Sequence, residues 1–490
     1  MKGIFQGLIP AGFWFSLFFL MACPTGKAQQ NTTQFFMYSL PETNFINPAL
    51  QGKCGTFIGL PVLSSFHMNV ANSGFTANDV MTLYTDNTID RKFDYNTDRI
   101  RGLNYFLSEF HSTLLAVGLQ RNDLYYSFTV IEKDHGAGLY TNNMVAFSLR
   151  GGNEFEGQEV NLKGTNFSYN HYREFAFGIS KRYSDRLLLG FKAKLLFGIF
   201  NLTTGNSSFG IFIDGNSDNI LLDIDGGYNS SLPYSLRMED PGTYRFYKRY
   251  DAPMTSHLSN FSNPGIGLDL GFIYRYSDRM TLSGSLLDLG MVFYRSNLTN
   301  YSLEGDLSYY GPFGSGGLNE GQLWSVFDAM NQQMNEEVTH NAYTYFLDPK
   351  LYLGAAYKLN QRFDLNFLLY NRLLPRKLQT GATVSLLTRP AEKLEASISW
   401  SYINRSAANL GFGVSYGDKP MQVYLVSDNL LGFVLPLNTK NVNIRAGINL
   451  YFGCKSRFNI NDCGCDWMKD AESHRLRKES ARRNRKSKGY

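Results

Sequence analysis

The stretch NVNIRAGINLYFG, near the C-terminal end of the chain, alternates strictly. Val442, Ile444, Ala446, Ile448, Leu450 and Phe452 fall on one side, and Asn443, Arg445, Gly447, Asn449 and Tyr451 on the other. A period of two held over this many residues specifies a β-strand with one apolar and one polar face. About 9–11 residues is also the length a tilted strand needs to cross a bilayer. The pattern recurs. Ile266, Leu268, Leu270, Phe272 and Tyr274 alternate with Gly267, Asp269, Gly271 and Arg275; Phe363, Leu365, Phe367 and Leu369 with Asp364 and Asn366. Leu394, Ala396, Ile398, Trp400 and Tyr402 alternate with Glu395, Ser397, Ser399 and Ser401, and Leu410, Phe412, Val414 and Tyr416 with Asn409, Gly411, Gly413 and Ser415.

A soluble sandwich also alternates, so the connections must decide. Fourteen strands are expected, at 54–72, 111–121, 124–134, 167–182, 186–200, 264–277, 279–294, 347–358, 362–372, 376–387, 393–404, 407–417, 419–427 and 442–453. After each even-numbered strand but the last the turn is short; after odd-numbered ones the connections are mostly long, notably 73–110, 201–263 and 295–346. Short periplasmic turns, long outer loops and an even strand number are the habit of outer-membrane barrels. The phrase Arg-Tyr-Ser-Asp-Arg, at 182–186 and again at 275–279, is then a periplasmic hairpin turn used twice. Ser-Asp makes the bend, and Tyr183 and Tyr276 sit at the interfacial aromatic girdle. In the loop GQLWSVFDAMNQQMNEEV, Leu323, Val326, Phe327, Met330, Met334 and Val338 recur at helical spacing, which predicts one amphipathic helix.

Composition agrees. The 31 Tyr, 38 Phe and 46 Gly suit a large β-structure with girdles and tight turns, and the mean hydropathy of −0.25 argues against a bundle of apolar helices. The chain opens like a secretory signal: Lys2, an apolar run from Ile9 to Ala22, then Gly26-Lys27-Ala28 ahead of a mature start at Gln29. A second reading makes Leu20-Met21-Ala22-Cys23 a lipidation box. Either reading exports the chain. Residues 475–488 hold eight Lys or Arg and one Glu, a net +7; Lys2 and Lys27 bring +2, which leaves −4 for the rest of a total of +5. The basic tail is expected to be disordered, a solubilising extension or a contact for a periplasmic partner, the cell wall or anionic lipid; nucleic acid is not an expected partner.

No enzyme signature survives. Gly413-Val414-Ser415-Tyr416-Gly417 matches a nucleophile elbow, which needs a strand-to-helix turn, but here it lies in an alternating strand. The seven histidines show no metal-ligand spacing, and neither cofactor nor metal is expected. Export permits disulfides. Cys54 opens the first strand and Cys454 follows the last, so a Cys54–Cys454 bond across the barrel seam is the preferred pairing, with Cys463 or Cys465 as competing partners for Cys54. Lys192, Lys194, Asp269, Arg275, Asp364, Glu395 and Arg445 fall on the polar faces. They form either a network of mutual ion pairs or a selective channel lining.

Asn47-Pro48-Ala49, in LPETNFINPALQG, resembles the Asn-Pro-Ala signature near the N-terminus of the long-chain fatty-acid transporter superfamily. CGTFIGLPVLSSFHMNVANSGF (54–75), YREFAFGISKRYSDRLLLGFKAKLLFG (172–198) and NTKNVNIRAGINLYFGC (438–454) resemble a Bacteroidota family of exported proteins with a domain of unknown function. The resemblance implies a fourteen-stranded barrel in the outer membrane, with an N-terminal segment in its lumen gating a path for hydrophobic molecules. The chain departs from the transporters in lacking a long apolar hatch helix and in ending on a Cys-containing basic tail. The expected organisation is therefore a signal peptide (1–28), a plug or periplasmic segment (29–53) containing Asn47, Pro48 and Ala49, a closed antiparallel transmembrane β-barrel with long extracellular loops (54–453) and a basic periplasmic tail (454–490). The expected function is passive transport of small hydrophobic or amphipathic molecules across the outer membrane of a Gram-negative bacterium. The alternatives are a non-catalytic scaffold subunit of a secretion or motility machine, or adhesion through the outer loops.

Overall fold

The computed structural model describes residues 31–453 apart from 53, 77–101, 151–154, 206–207, 215–218, 233, 241–242, 249–259, 311–333, 375–376, 392, 404–405 and 419. The expected signal peptide and basic tail lie outside the described residues. The wall is an antiparallel sheet closed on itself. Its staves are β1 (in two pieces, Thr56–Gly59 and Phe66–Asn72), β2 (Asn104–Arg121), β3 (Leu124–Tyr140), β4 (Asn166–Arg182), β5 (Leu187–Thr204), β6 (Pro264–Arg275) and β7 (Met280–Tyr294). The circuit continues with β8 (Lys350–Lys358), β9 (Phe363–Leu374), β10 (Lys377–Ala391), β11 (Leu394–Ile403), β12 (Ser406–Asp418), β13 (Met421–Ser427) and β14 (Asn441–Phe452). Each stave pairs with the next. Both pieces of β1 pair with β2 on one side and β14 on the other. Closure leaves the wall no edge with unpaired amides, the condition for a sheet to survive in hydrocarbon.

Burial along the strands decides between a soluble sandwich and a membrane barrel. On β11, Ile398 and Trp400 are 56% and 50% exposed, whereas Ser397 and Ser399 are each 1% exposed. The same inversion runs round the wall: Leu365, Phe367 and Leu369 point out, while Asn366, Glu395, Asn443, Arg445 and Asn449 are buried. A protein in water would expose the opposite set. An apolar band outside and polar side chains inside is the arrangement a lipid solvent requires. The repeated phrase makes the same turn twice. The Tyr183 amide donates to the Leu187 carbonyl and the Tyr276 amide to the Met280 carbonyl, both at 3.0 Å, and both tyrosine side chains are exposed.

Three features differ from the sequence expectation. The first stave is broken: between Gly59↔Ala116 and Phe66↔Ser112, residues 60–65 stand opposite only 113–115. The surplus is a bulge that exposes Pro61, Val62 and Leu63 and buries Ser64 and Ser65. Second, the long outer connections carry strands of their own. Ser208–Asp214, Asn219–Ser231, Leu298–Tyr310 and Asn335–Thr339 pair in series, and residues 228–231 join them to the outer end of β5 at 201–204. Third, the helix expected over 321–338 falls mostly outside the described residues, and its last part, Asn335–Thr339, is one of these strands. Pairing with Leu298–Tyr310 overrides the local helical period there.

The core sits inside the barrel. Phe35, Phe36, Tyr38, Ile46 and Leu50 cluster with Leu188, Ile273, Leu287, Tyr352, Leu368 and Tyr370 of the staves. Residues 32–50 are buried with the exception of the half-buried Phe45.

Candidate functional site: the barrel interior

The segment 31–52 contributes no strand to the wall. It folds as two short 3-10 turns, Gln34–Phe36 and Pro41–Phe45. Pro41 starts the second where its missing N–H costs nothing. Its polar atoms bond to staves on every side. The Thr33 amide donates to Asp428 (2.7 Å), and the Thr33 and Ser399 hydroxyls lie 2.7 Å apart. Ser39 donates to Glu395 and lies 3.3 Å from the Ser415 hydroxyl. Lys192 donates to the Asn44 carbonyl (2.8 Å), Ser285 to the Ile46 carbonyl (2.6 Å), and Asn449 to Glu42 (3.1 Å). Burial pushes the Glu42 carboxyl up to about 8, outweighing its own backbone amide, Asn449 and Arg445, which pull it down.

Asn47-Pro48-Ala49 is the tightest part of this contact. The Leu50 amide donates to the Asn47 carbonyl (3.0 Å), closing a β-turn with proline at its second position. The Asn47 side chain accepts from the Ala49 amide (3.0 Å) and donates to the Phe272 carbonyl (3.2 Å). The wall beneath is a cross-strand row of small residues, Ser180↔Gly190↔Gly271↔Ser285. A β-carbon at Gly190 would lie 2.2 Å from the Ala49 nitrogen and the Pro48 carbonyl carbon, and one at Gly271 would lie 2.3 Å from Asn47 Oδ1. The two serines flank the glycines and donate to the turn, Ser180 to the Ala49 carbonyl at 2.7 Å. The wall is thus shaped for the turn: no side chain where the backbones touch, and a hydroxyl on each side.

Another part of the interior is a layer of ion pairs. Lys194 contacts Asp269 (2.6 Å), Asp288 (2.8 Å) and Glu174 (3.4 Å), and Lys133 contacts Glu174 (2.7 Å). Arg372 joins Glu109 (3.0 Å) to Asp348 (2.8 Å), and Lys350 joins Glu109 (3.3 Å) to Asp288 (3.4 Å). These groups border a cavity of about 70 Å³. A separate trio, Arg389 with Asp364 (2.7 Å) and Glu395 (3.2 Å), abuts Ser39.

Of the charged residues named from sequence, Lys194 and Asp269 meet in the first network, and Asp364 and Glu395 in the trio. Lys192 and Arg445 turn to the N-terminal segment and to Ser65 respectively, while Arg275 reaches the rim and pairs with Asp278 in the turn. Sequence reasoning missed Glu109, Lys133, Glu174, Asp288, Asp348, Lys350, Arg372 and Arg389. Glu174 and Arg372 lie on the polar parities of expected strands and were legible there. Asp288 was not: it has φ +58 at an irregularity in the β6–β7 register, so Leu287 and Asp288 are both buried and the alternation breaks. Cys54 is disulfide-bonded, and Cys454, Cys463 and Cys465 lie outside the described residues. Ser415 is within β12, with no strand-to-helix turn. Among the described residues no group of three or more His, Cys, Asp or Glu is arranged to hold a metal ion.

A family model described as "Family of unknown function (DUF5723)" matches residues 48–428, and the chain belongs to that family. No curated protein matches the chain. Solved structures to which it is similar include the Ralstonia pickettii toluene transporter TbuX, with 10% identity, 84% of this chain and 92% of that one covered, and a TM-score of 0.37. The P. putida toluene transporter TodX gives 12% identity, 87% and 94% coverage and a TM-score of 0.34. A Pseudomonas aeruginosa FadL homologue gives 10% identity, 88% and 100% coverage and a TM-score of 0.38.

Proposed function

We propose that the protein is a passive channel of the Gram-negative outer membrane for small amphipathic molecules, and that residues 31–51 are a plug that closes it. The observation that carries this reading is how the segment is held. The wall closes without it, and its seat is made of single hydrogen bonds and side-chain packing rather than strand pairing. Displacing it leaves every stave paired. Each such bond contributes about 1 kcal/mol, so the seat is firm as a sum yet made of separable parts. Amphipathic cargo suits the interior better than pure hydrocarbon, because the path offers both the aromatic cluster around Tyr352 and Tyr370 and the charged layer.

The test is a reversible lock. Thr33→Cys with Ser399→Cys places two thiols where hydroxyls lie 2.7 Å apart. Uptake of a fluorescent amphiphile into proteoliposomes is measured oxidised, reduced, and after deletion of 31–51, with the unmodified protein under the same reductant as control. Uptake that is absent when locked and appears on reduction supports the channel. Equal, empty-vesicle rates in all three states would remove it and favour the scaffold reading.

A further inference from the structure

The outer surface behind the Asn-Pro-Ala turn is not smooth. Between β4 and β8 the lipid-facing side carries a hollow of about 670 Å³, lined by Ile179, Phe191, Leu270, Leu286 and Leu351 among others. One cross-strand row runs through it: Lys181↔Leu189↔Phe272↔Gly284↔Leu353. Gly284 is the notch in that row. A β-carbon there would lie 2.6 Å from Phe272 Cε1 and 3.1 Å from Leu353 Cδ2, so those two side chains converge over the missing one.

Lys181 stands at the other end of the row, one residue before the 182–186 turn phrase, exposed and with no ion-pair partner among the described residues. The adjoining turns add exposed Arg186 and Arg279. Gly284 is five residues along β7 from Arg279. With a rise of about 3.3 Å per residue and a strand tilt of about 40°, it lies roughly 12 Å above the rim, near the middle of an apolar band about 25 Å tall. A cation at headgroup level thus leads, along one row, to an apolar notch at acyl-chain depth.

We propose that this hollow binds one anionic glycerophospholipid of the periplasmic leaflet, with its phosphate on Lys181 and an acyl chain laid in the hollow on the Phe272 and Leu353 side chains that close over Gly284. The charge selects the headgroup, since a juxtamembrane lysine favours anionic over zwitterionic lipid. The notch selects a chain lying diagonally across four staves, and this site is independent of whether the lumen conducts.

Native mass spectrometry of the full-length barrel, released from mixed phosphatidylglycerol and phosphatidylcholine vesicles of matched chains, tests this. The expected result is one phosphatidylglycerol retained per barrel. Lys181→Gln should lower its retention about five-fold. Gly284→Leu, which takes the space that the Phe272 ring and Leu353 occupy and drives them into the hollow, should abolish retention of either lipid. Heat-modifiable gel migration confirms that both variants are folded. Retention in Gly284→Leu equal to that of the parent protein, or equal retention of the two headgroups by the parent, would overturn the proposal.

Discussion

A single methyl group at Gly190 should unseat the N-terminal segment. The β-carbon of Gly190→Ala would come within 2.2–2.3 Å of three backbone atoms of Pro48 and Ala49, none able to rotate away. The turn must therefore lift. That stretches the bonds from Ser180 to Ala49, from Gln51 to Ser180, from Asn47 to Phe272 and from Ser285 to Ile46. Four bonds at about 1 kcal/mol each bound the loss at roughly 4 kcal/mol, and an overpacked site that relaxes in part costs about 1–3 kcal/mol. A value of about 1–4 kcal/mol raises the unseated population some five- to a thousand-fold. Hydrogen exchange of the Ile46, Asn47 and Leu50 amides, all bonded within the segment, reads that population. The control is Gly267→Ala on β6, whose β-carbon would meet the Lys194 side chain at 3.3 Å and Leu196 Cδ1 at 3.7 Å, side chains of the wall rather than backbone of the N-terminal segment. Exchange at 46–50 that is the same in both variants and in the parent protein would refute the argument that the glycine row is the seat.

Other expectations follow from the same interior. Because the Glu42 carboxyl is pushed from 4.5 up to about 8, seating is most stable below about pH 4.5. It weakens by about 1.4 kcal/mol per pH unit up to about pH 8, a total of roughly 5 kcal/mol. A nitroxide on residue 31 should grow more mobile over that window in the parent protein and show no such slope in Glu42→Gln. Replacing Arg389 with Ala strands the buried Glu395 carboxylate and should cost about 3–5 kcal/mol in guanidinium unfolding from vesicles. Arg389→Ala with the parent midpoint would place the wall's stability elsewhere. Ile398→Arg puts a charge in lipid and should cost about 2–4 kcal/mol if that residue lies near the bilayer midplane, so folding into vesicles should fall, as read by heat-modifiable migration. Peptide mapping without reductant should recover Cys54 joined to Cys454, and a peptide joining Cys54 to Cys463 or Cys465 would instead show the tail folded back onto the rim.

The order of residues along the chain was enough for the barrel. Alternation is a property of one strand, and a bilayer imposes the same apolar face on each stave, so fourteen periods and their alternating short turns could be read one at a time. The repeated Arg-Tyr-Ser-Asp-Arg could be placed at the rim for the same reason, since a hairpin is made by its own residues. Reading stopped where a residue's role depends on a partner distant along the chain. Gly190 and Gly271 are 81 residues apart and look like two of 46 glycines; closure sets them side by side beneath Asn47-Pro48-Ala49. Asp288 is hidden by the break in its strand's period, and Arg389 shows its two carboxylate partners only once β9, β10 and β11 are in register. Local periodicity specifies which face a side chain takes, whereas which side chains meet across the lumen depends on the shear and closure of the whole sheet, a relation among strands that no single stretch contains.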